Sequence, residues 1–430
     1  MTSKLAPKAS FYLAFLLLLN VFNFAHRQMP ISLGYQIETG LGISHAQLGL
    51  LIGYAFIVVY SVAGMLFGTV ADRWNRPRLI ALGLTLWAAA TVVSGLSQSF
   101  LQIALLRLLV GTGAAVLTPT ALGMLADVYR PEKRAFAAGV YYGGIPLGAG
   151  LSLIIVALLE PVLGWRACFY VMGAAGLVMV PFMLFLKDPP RGGVEAAAAP
   201  QPSPTPATHR STAEVLGEIA RVAGRSPALV ASVLGSVLVL WPISALALGV
   251  TWLQVERGFT LTEAGLLSGV IFLVGGFLGN LGGGWLSDLC QRRWSGGRLW
   301  FLAIAQLVIG PPALAWYVLP KESILFYVVW VVGSFGATGY FGPIFATVQD
   351  LVPARVRSTM VGVLLLMVNI FATGLAPWVA GAIGDATTLT RGLVICSLVG
   401  FLSIPFFVFA ARRYAADVAR LEGSGVEDRG

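Results

Sequence analysis

The chain holds 430 residues, 57% of them hydrophobic and only 11% charged, with a formal net charge of +9. An average soluble domain is about 45–50% apolar and about 25% charged, so an ordinary soluble enzyme, a disordered protein and a nucleic-acid binder are excluded. Cys168, Cys290 and Cys396 lie far apart and make neither a metal-ligand spacing nor a disulfide framework, so no metal and no cofactor is expected.

A helix needs about 20 mostly apolar residues to cross the hydrocarbon. Six such stretches, 11–35, 46–70, 79–98, 101–126, 135–159 and 167–186, precede a polar interruption. Six more follow it, at 228–253, 261–287, 299–319, 323–348, 358–383 and 392–412. Strand-period alternation is absent, which argues against a barrel. The first stretch is too long for a cleavable signal, contains His26 and Arg27, and lacks a small-residue cleavage site. The expected fold is an all-α polytopic membrane protein of 12 helices. Its parts are a six-helix bundle over 1–186, a linker over 187–227, a second bundle over 228–412 and a tail over 413–430.

Orientation follows from the basic residues. With the amino terminus inside, 22 of the 28 Lys and Arg fall on the cytoplasmic side. Four lie opposite (Arg166, Arg257, Lys321 and Arg391), and Arg27 and Arg107 lie at membrane depth. Both termini are therefore expected in the cytoplasm. Short outer loops and the lack of any Asn-x-Ser/Thr sequon point to a prokaryotic inner membrane. Within the linker, the Ala/Pro/Ser run 196–206 cannot build a core. Beyond it, Val215, Leu216, Ile219 and Val222 recur at helical spacing among Glu214, Glu218 and Arg221, as in a short interfacial helix.

The halves repeat one another. Gly68, Asp72 and Arg73 close the second stretch, and Gly284 and Asp288 close the eighth, 216 residues later. Arg76 and Arg78 trail the first copy; Arg292 and Arg293 trail the second. Asp127, Arg134 and Gly139 match Asp350, Arg357 and Gly362 at an offset of 223, so a seven-residue indel separates the copies. Two six-span halves on a flexible linker are the plan of a parallel-repeat secondary transporter. Gly68 and Gly284 are expected to permit close helix approach. Asp72, Arg73, Asp127, Arg134, Asp288, Asp350 and Arg357 are expected to brace or gate conformations.

The segment GTVADRWNRPR and its echo resemble the signature loop of the major facilitator superfamily, with Asn75 where glycine is usual. Asparagine tolerates a left-handed backbone. RLLVGTG, from Arg107 through Gly111 and Gly113, resembles that superfamily's fourth-helix motif. Residues 23–27, the fourth-helix stretch and 342–385 look more narrowly like the spinster-type branch. That resemblance implies an amphiphilic, often anionic, lysolipid-like cargo. The branch usually carries an acid where this chain has His26 and a glutamate where it has Ala114. Both acids are missing here.

All 19 Asp and Glu sit in loops, in the tail or near span ends. A proton-driven transporter commonly uses a buried carboxylate, so His26 is the one candidate at depth to carry a coupling proton, or else a neutral hydrogen-bonding residue. Asn20, Asn23 and Arg27 share one helical face. Arg27 is costly at that depth unless it meets water, carbonyls or an anion, and its fork suits a carboxylate or phosphate. Arg107 is expected either to brace helices or to touch substrate. Tyr141 and Tyr142 precede a small-residue run that permits bending; Trp241-Pro242 should break the seventh span and Tyr340–Pro343 the tenth. Asn369 is the polar group of the eleventh. Aromatic residues here either line a cavity or pack.

The leading reading is a secondary transporter or facilitator for an organic anion or anionic amphiphile, working as a monomer among membrane lipids. Alternatives are an exporter of neutral or cationic drugs and a transport-dead sensor. An enzyme is not expected: no paired histidines, buried acid or Ser/His/Asp set lies at membrane depth.

Overall fold

A computed structural model describes residues 7–71, 73–191, 212–353 and 356–427. Every regular element among them is helical, and twelve helices are long and apolar enough to cross a membrane. Spans 1 to 6 are Ala9–Ser32, His45–Gly68, Arg76–Ser94, Phe100–Val128, Glu132–Leu163 and Trp165–Phe185. Spans 7 to 12 are Pro227–Val255, Leu261–Arg293, Gly297–Trp316, Ile324–Asp350, Thr359–Ala386 and Leu389–Leu421. Asp72 and the 196–206 run lie outside the described residues.

Backbone contacts divide the chain into two units. One is Met1–Thr205 with Leu253–Val270; the other is Pro206–Trp252 with Ile271–Gly430. The first has a core built around Leu16, Leu84, Trp87, Leu117 and Met124. The second has its own, around Leu229, Leu302, Leu364 and Phe407.

Lipid tails are as apolar as leucine, so helices in a membrane associate through close packing at small residues. In the first unit, a Cβ on Gly111 would lie 2.9 Å from the Phe56 carbonyl, so span 4 rests on the backbone of span 2. In the second, Gly275, Gly279 and Gly283 share one face of span 8, and a Cβ on Gly283 would overlap the Gly339 backbone of span 10. At Gly68 and Gly284 an added Cβ meets nothing within 4 Å among the described residues, although a Cβ on Gly342 of span 10 would lie 3.7 Å from the Gly284 Cα. Gly284 follows Gly283 by one residue, which turns it about 100° away from the packed face.

Breaks in the helices fall near the expected places. Span 5 is interrupted at Gly143, between Pro131–Tyr142 and Gly144–Leu163, and span 10 at Tyr340, between Ile324–Gly339 and Phe341–Asp350. Span 7 instead runs helically through Pro242 and tightens into a 3-10 turn only at Leu246–Leu248. Losing one N–H donor there does not stop the helix, which continues to Ala245. Span 11 widens into a π-turn at Asn369–Gly374.

The expected short helix is present at Thr212–Arg225, and its Val222 packs on the second core. The final helix, Ser403–Glu427, continues well past 412, so the segment expected as a tail is helical to Glu427. Ala410, Tyr414 and Asp417 recur on one face and are buried. Asp417 accepts from Ser226 Oγ and the Ala228 N–H, both at 2.9 Å, and so caps the start of span 7.

Candidate functional site

The duplicated loops form two arginine clusters, one per unit. In the first, Asn75 has φ −67° and ψ 114°, and its side-chain oxygen accepts the Arg78 N–H at 3.1 Å. Asn75 is therefore an N-cap of span 3, not a left-handed turn residue. Arg76 follows, 5% exposed. Its Nε donates to Asp188 Oδ1 at 2.8 Å, its Nη2 to the Pro189 carbonyl at 2.6 Å, and its Nη1 pairs with Asp127. Arg191 adds bonds to the Ala71 and Trp74 carbonyls at 3.2 and 3.0 Å.

In the second unit Arg298 takes the same place at the start of span 9. Nε and Nη2 donate to Asp288 Oδ1 at 2.9 and 2.7 Å, and Nη1 to Asp350 Oδ2 at 2.6 Å. Tyr414 Oη donates to that same oxygen at 3.0 Å. Among the described residues the arginines that gather the acids are thus Arg76 and Arg298, whereas Arg73, Arg292 and Arg293 are exposed. Arg298 stands 222 residues after Arg76, close to the 223 of the Asp pair, so six of the seven inserted residues fall between Asp288 and Arg298. Arg134 Nε donates to the Ala126 carbonyl at 2.9 Å and Arg357 Nε to the Gln349 carbonyl at 3.1 Å. Each closes the end of the preceding span in the same way.

At membrane depth the first unit carries a different constellation. Arg107 precedes Gly111 by one helical turn, so the close approach of span 4 to span 2 also brings its guanidinium to Phe56. The Arg107 Cζ lies 4.9 Å from the Phe56 ring centroid, and Nη2 donates to the Arg27 carbonyl at 3.2 Å. Arg107 is 3% exposed, and its Nε has no hydrogen-bond partner among the described residues. Arg27 points its guanidinium at three rings, with Cζ 5.5 Å from Phe24, 4.9 Å from Phe56 and 5.5 Å from Tyr60. Among the described residues it makes no hydrogen bond or ion pair. Aromatic faces attract a cation through their quadrupole but supply no neutralising charge. A partly exposed fork left this way can still take two charge-assisted hydrogen bonds from an anion.

The other expected residues divide. Asn20 Nδ2 donates to the Tyr141 carbonyl at 2.8 Å, leaving its Oδ1 without a partner, and Asn23 Nδ2 donates to the Ala114 carbonyl at 3.4 Å. His26 is corrected. It turns between spans 3 and 6, where Trp87 Nε1 donates to its Nδ1 at 3.1 Å and its Nε2 meets the Met172 carbonyl at 2.8 Å. That network assigns the proton to Nε2 of a neutral ring. Both nitrogens are spent in packing, so His26 does not join Arg27. Tyr141 is buried with its hydroxyl 3.4 Å from Thr118 Oγ1, and Tyr142 is exposed beside it. In the second unit Tyr340 is buried and donates to Gln306 Oε1 at 3.1 Å, Trp241 is half-buried, and Asn369 heads the π-turn.

Sequence reasoning missed Phe24, Phe56 and Tyr60, because one aromatic among many carries no distinguishing pattern. It also missed Gln306, Asp188 and the hub role of Arg76 and Arg298. The offset of 222 was the available signal for the last two.

The family model for the Major Facilitator Superfamily matches residues 13–377 and, again, 246–425. The chain is 29% identical over 417 residues to an MFS-type efflux pump of Mycolicibacterium smegmatis, covering 94% of this chain and 92% of that protein. It is 26% identical to Protein spinster of Drosophila melanogaster, covering 87% of this chain but 62% of the length of the fly protein. Among solved structures, a bacterial homolog of the human lysosomal transporter Spinster, inward-facing and unoccupied, matches with a TM-score of 0.84. Identity to it is 25%, over 96% of this chain and 98% of that one.

Proposed function

The chain belongs to the Major Facilitator Superfamily and is spinster-like, and from that premise we propose that it moves an organic anion or an anionic amphiphile across the membrane by alternating access, with Arg27 as the anion anchor. One observation carries this reading: the Arg27 guanidinium is ringed by Phe24, Phe56 and Tyr60 and has no hydrogen bond or ion pair among the described residues. The rings offer an apolar wall to the non-polar part of the cargo. Arg107 holds the span 1 backbone and lends a second positive charge.

An efflux direction is favoured by the relative named as an efflux pump. Neutral drugs are compatible with the aromatic wall, but two guanidiniums repel a cationic one. A prokaryotic inner membrane is the proposed location, in keeping with the basic loops and the bacterial relative. A cysteine at Ser203, labelled from outside intact cells, would contradict that topology.

The test is flux in proteoliposomes across a panel of organic anions and lysolipids, with and without a pH gradient. At least one anion should move, and Arg27→Ala should raise its half-saturating concentration about tenfold to a hundredfold or more. Normal flux of every tested anion through Arg27→Ala sinks the proposal.

A further inference from the structure

The charge at membrane depth does not balance. Arg27 and Arg107 lie there together, and none of the 19 acidic residues falls well inside a span. Both guanidinium carbons sit 4.9 Å from the one Phe56 ring. The groups in contact with them are neutral: Phe24, Phe56, Tyr60 and the Arg27 carbonyl. Arg107 is 3% exposed, and among the described residues its Nε has no hydrogen-bond partner.

An alternating-access cycle passes through a state closed to both sides. With the site open, water and salt screen the two cations; on closure that screening is lost, and like charges in a low dielectric oppose the closed state. A bound anion removes the obstacle, whichever way the site is turning.

We infer that the protein is an obligatory anion exchanger: the site closes only with an anion in it, on the return leg as on the forward one. The inference rests on the reading of Arg27 as the anion anchor. It assigns the counter-charge that a carboxylate near Arg27 would otherwise supply to the cargo and to its exchange partner.

The test uses the full chain in chloride-free proteoliposomes with the membrane potential clamped. Vesicles are loaded with radiolabelled succinate, glycerol phosphate or lysophosphatidate. The outside holds either the same anion unlabelled or only polyglutamate, which cannot cross. Efflux into unlabelled anion should exceed efflux into polyglutamate by on the order of a hundredfold, equivalent to about 2.7 kcal/mol at 1.36 kcal/mol per decade. That is the scale of one uncompensated arginine at the bilayer centre.

Asn23→Asp, a same-size change one turn from Arg27, should relieve the requirement. Efflux into polyglutamate should rise toward the exchange rate while apparent affinity for the anion falls. Ala114→Glu should act in the same direction, and the two variants guard against a folding defect in either. A merely structural role would lower both modes together. Equal wild-type efflux in the two media overturns the inference alone and leaves anion transport standing. Continued dependence on outside anion in well-folded Asn23→Asp and Ala114→Glu also overturns it. If no probe moves in either medium, the anion-transport reading fails and the inference falls with it.

Discussion

Arg76 in the first unit and Arg298 in the second occupy corresponding places, yet their surroundings differ. The Arg76 side chain is 6% exposed, with Asp127 at 16% and Asp188 at 20%. The Arg298 side chain is 21% exposed, with Asp288 at 54% and Asp350 at 37%. The first cluster is covered by the chain that leaves span 6, through Asp188, Pro189 and Arg191; the second meets the Tyr414 hydroxyl of span 12 and Gln291 of span 8. At membrane depth the contrast is larger. The first unit holds two guanidiniums against aromatic rings, and the second a neutral Tyr340–Gln306 hydrogen bond. Duplication has kept the bracing at the loops and let the interior of each half diverge.

The largest expected effect lies in that bracing. Arg76→Ala strands two mostly buried carboxylates and should cost about 3 kcal/mol or more of stability, as for a buried pair that loses one partner. Arg298→Ala, among exposed partners, should cost about 0–1 kcal/mol. Thermal unfolding in detergent compares them directly, and equal shifts would erase the distinction between the two clusters. Asp288→Asn should slow flux with little change in affinity.

Next in size is the divergence at depth. Charge-assisted hydrogen bonds contribute about 1.5–3 kcal/mol, so Arg27→Ala should weaken anion binding about tenfold to a hundredfold or more. Arg27→Lys should recover part of it, since a point charge lacks the fork. Tyr340→Phe should cost about 0.5–1.5 kcal/mol of stability and leave anion affinity unchanged. Calorimetric titration with the anion found to move would separate the halves; loss of affinity in Tyr340→Phe would join them.

Within span 8, Gly283→Ala drives a methyl into Gly339 and should cost about 1–3 kcal/mol. Gly284→Ala should stay within about 0.5 kcal/mol, like a surface change. Melting temperatures that fall equally would show that Gly284 packs as closely as Gly283. Trp87→Phe leaves His26 Nδ1 buried without its donor. About 1 kcal/mol of stability should be lost, and the pH profile of transport should not move. A shifted profile would return His26 to the transport cycle.

Twelve spans, two six-helix halves and the position of the charged loops were legible in the chain itself. Hydrocarbon thickness turns composition into span length directly, and a duplicated motif shows as a fixed offset. Arg27 stood out for the same reason, because a lone cation in an apolar run is costly wherever the helix faces. What that cation faces was decided by tertiary structure. Gly111 draws span 4 onto Phe56, which places Arg107 beside Arg27, while a rotation of one residue turns His26 away toward Trp87 and Met172. The burial of Tyr414 and Asp417 likewise came from docking, since a polar amphipathic helix reads as a tail until its apolar face finds a core. Local sequence sets which residues a helix carries; the phase of each helix against its neighbours sets which of them meet.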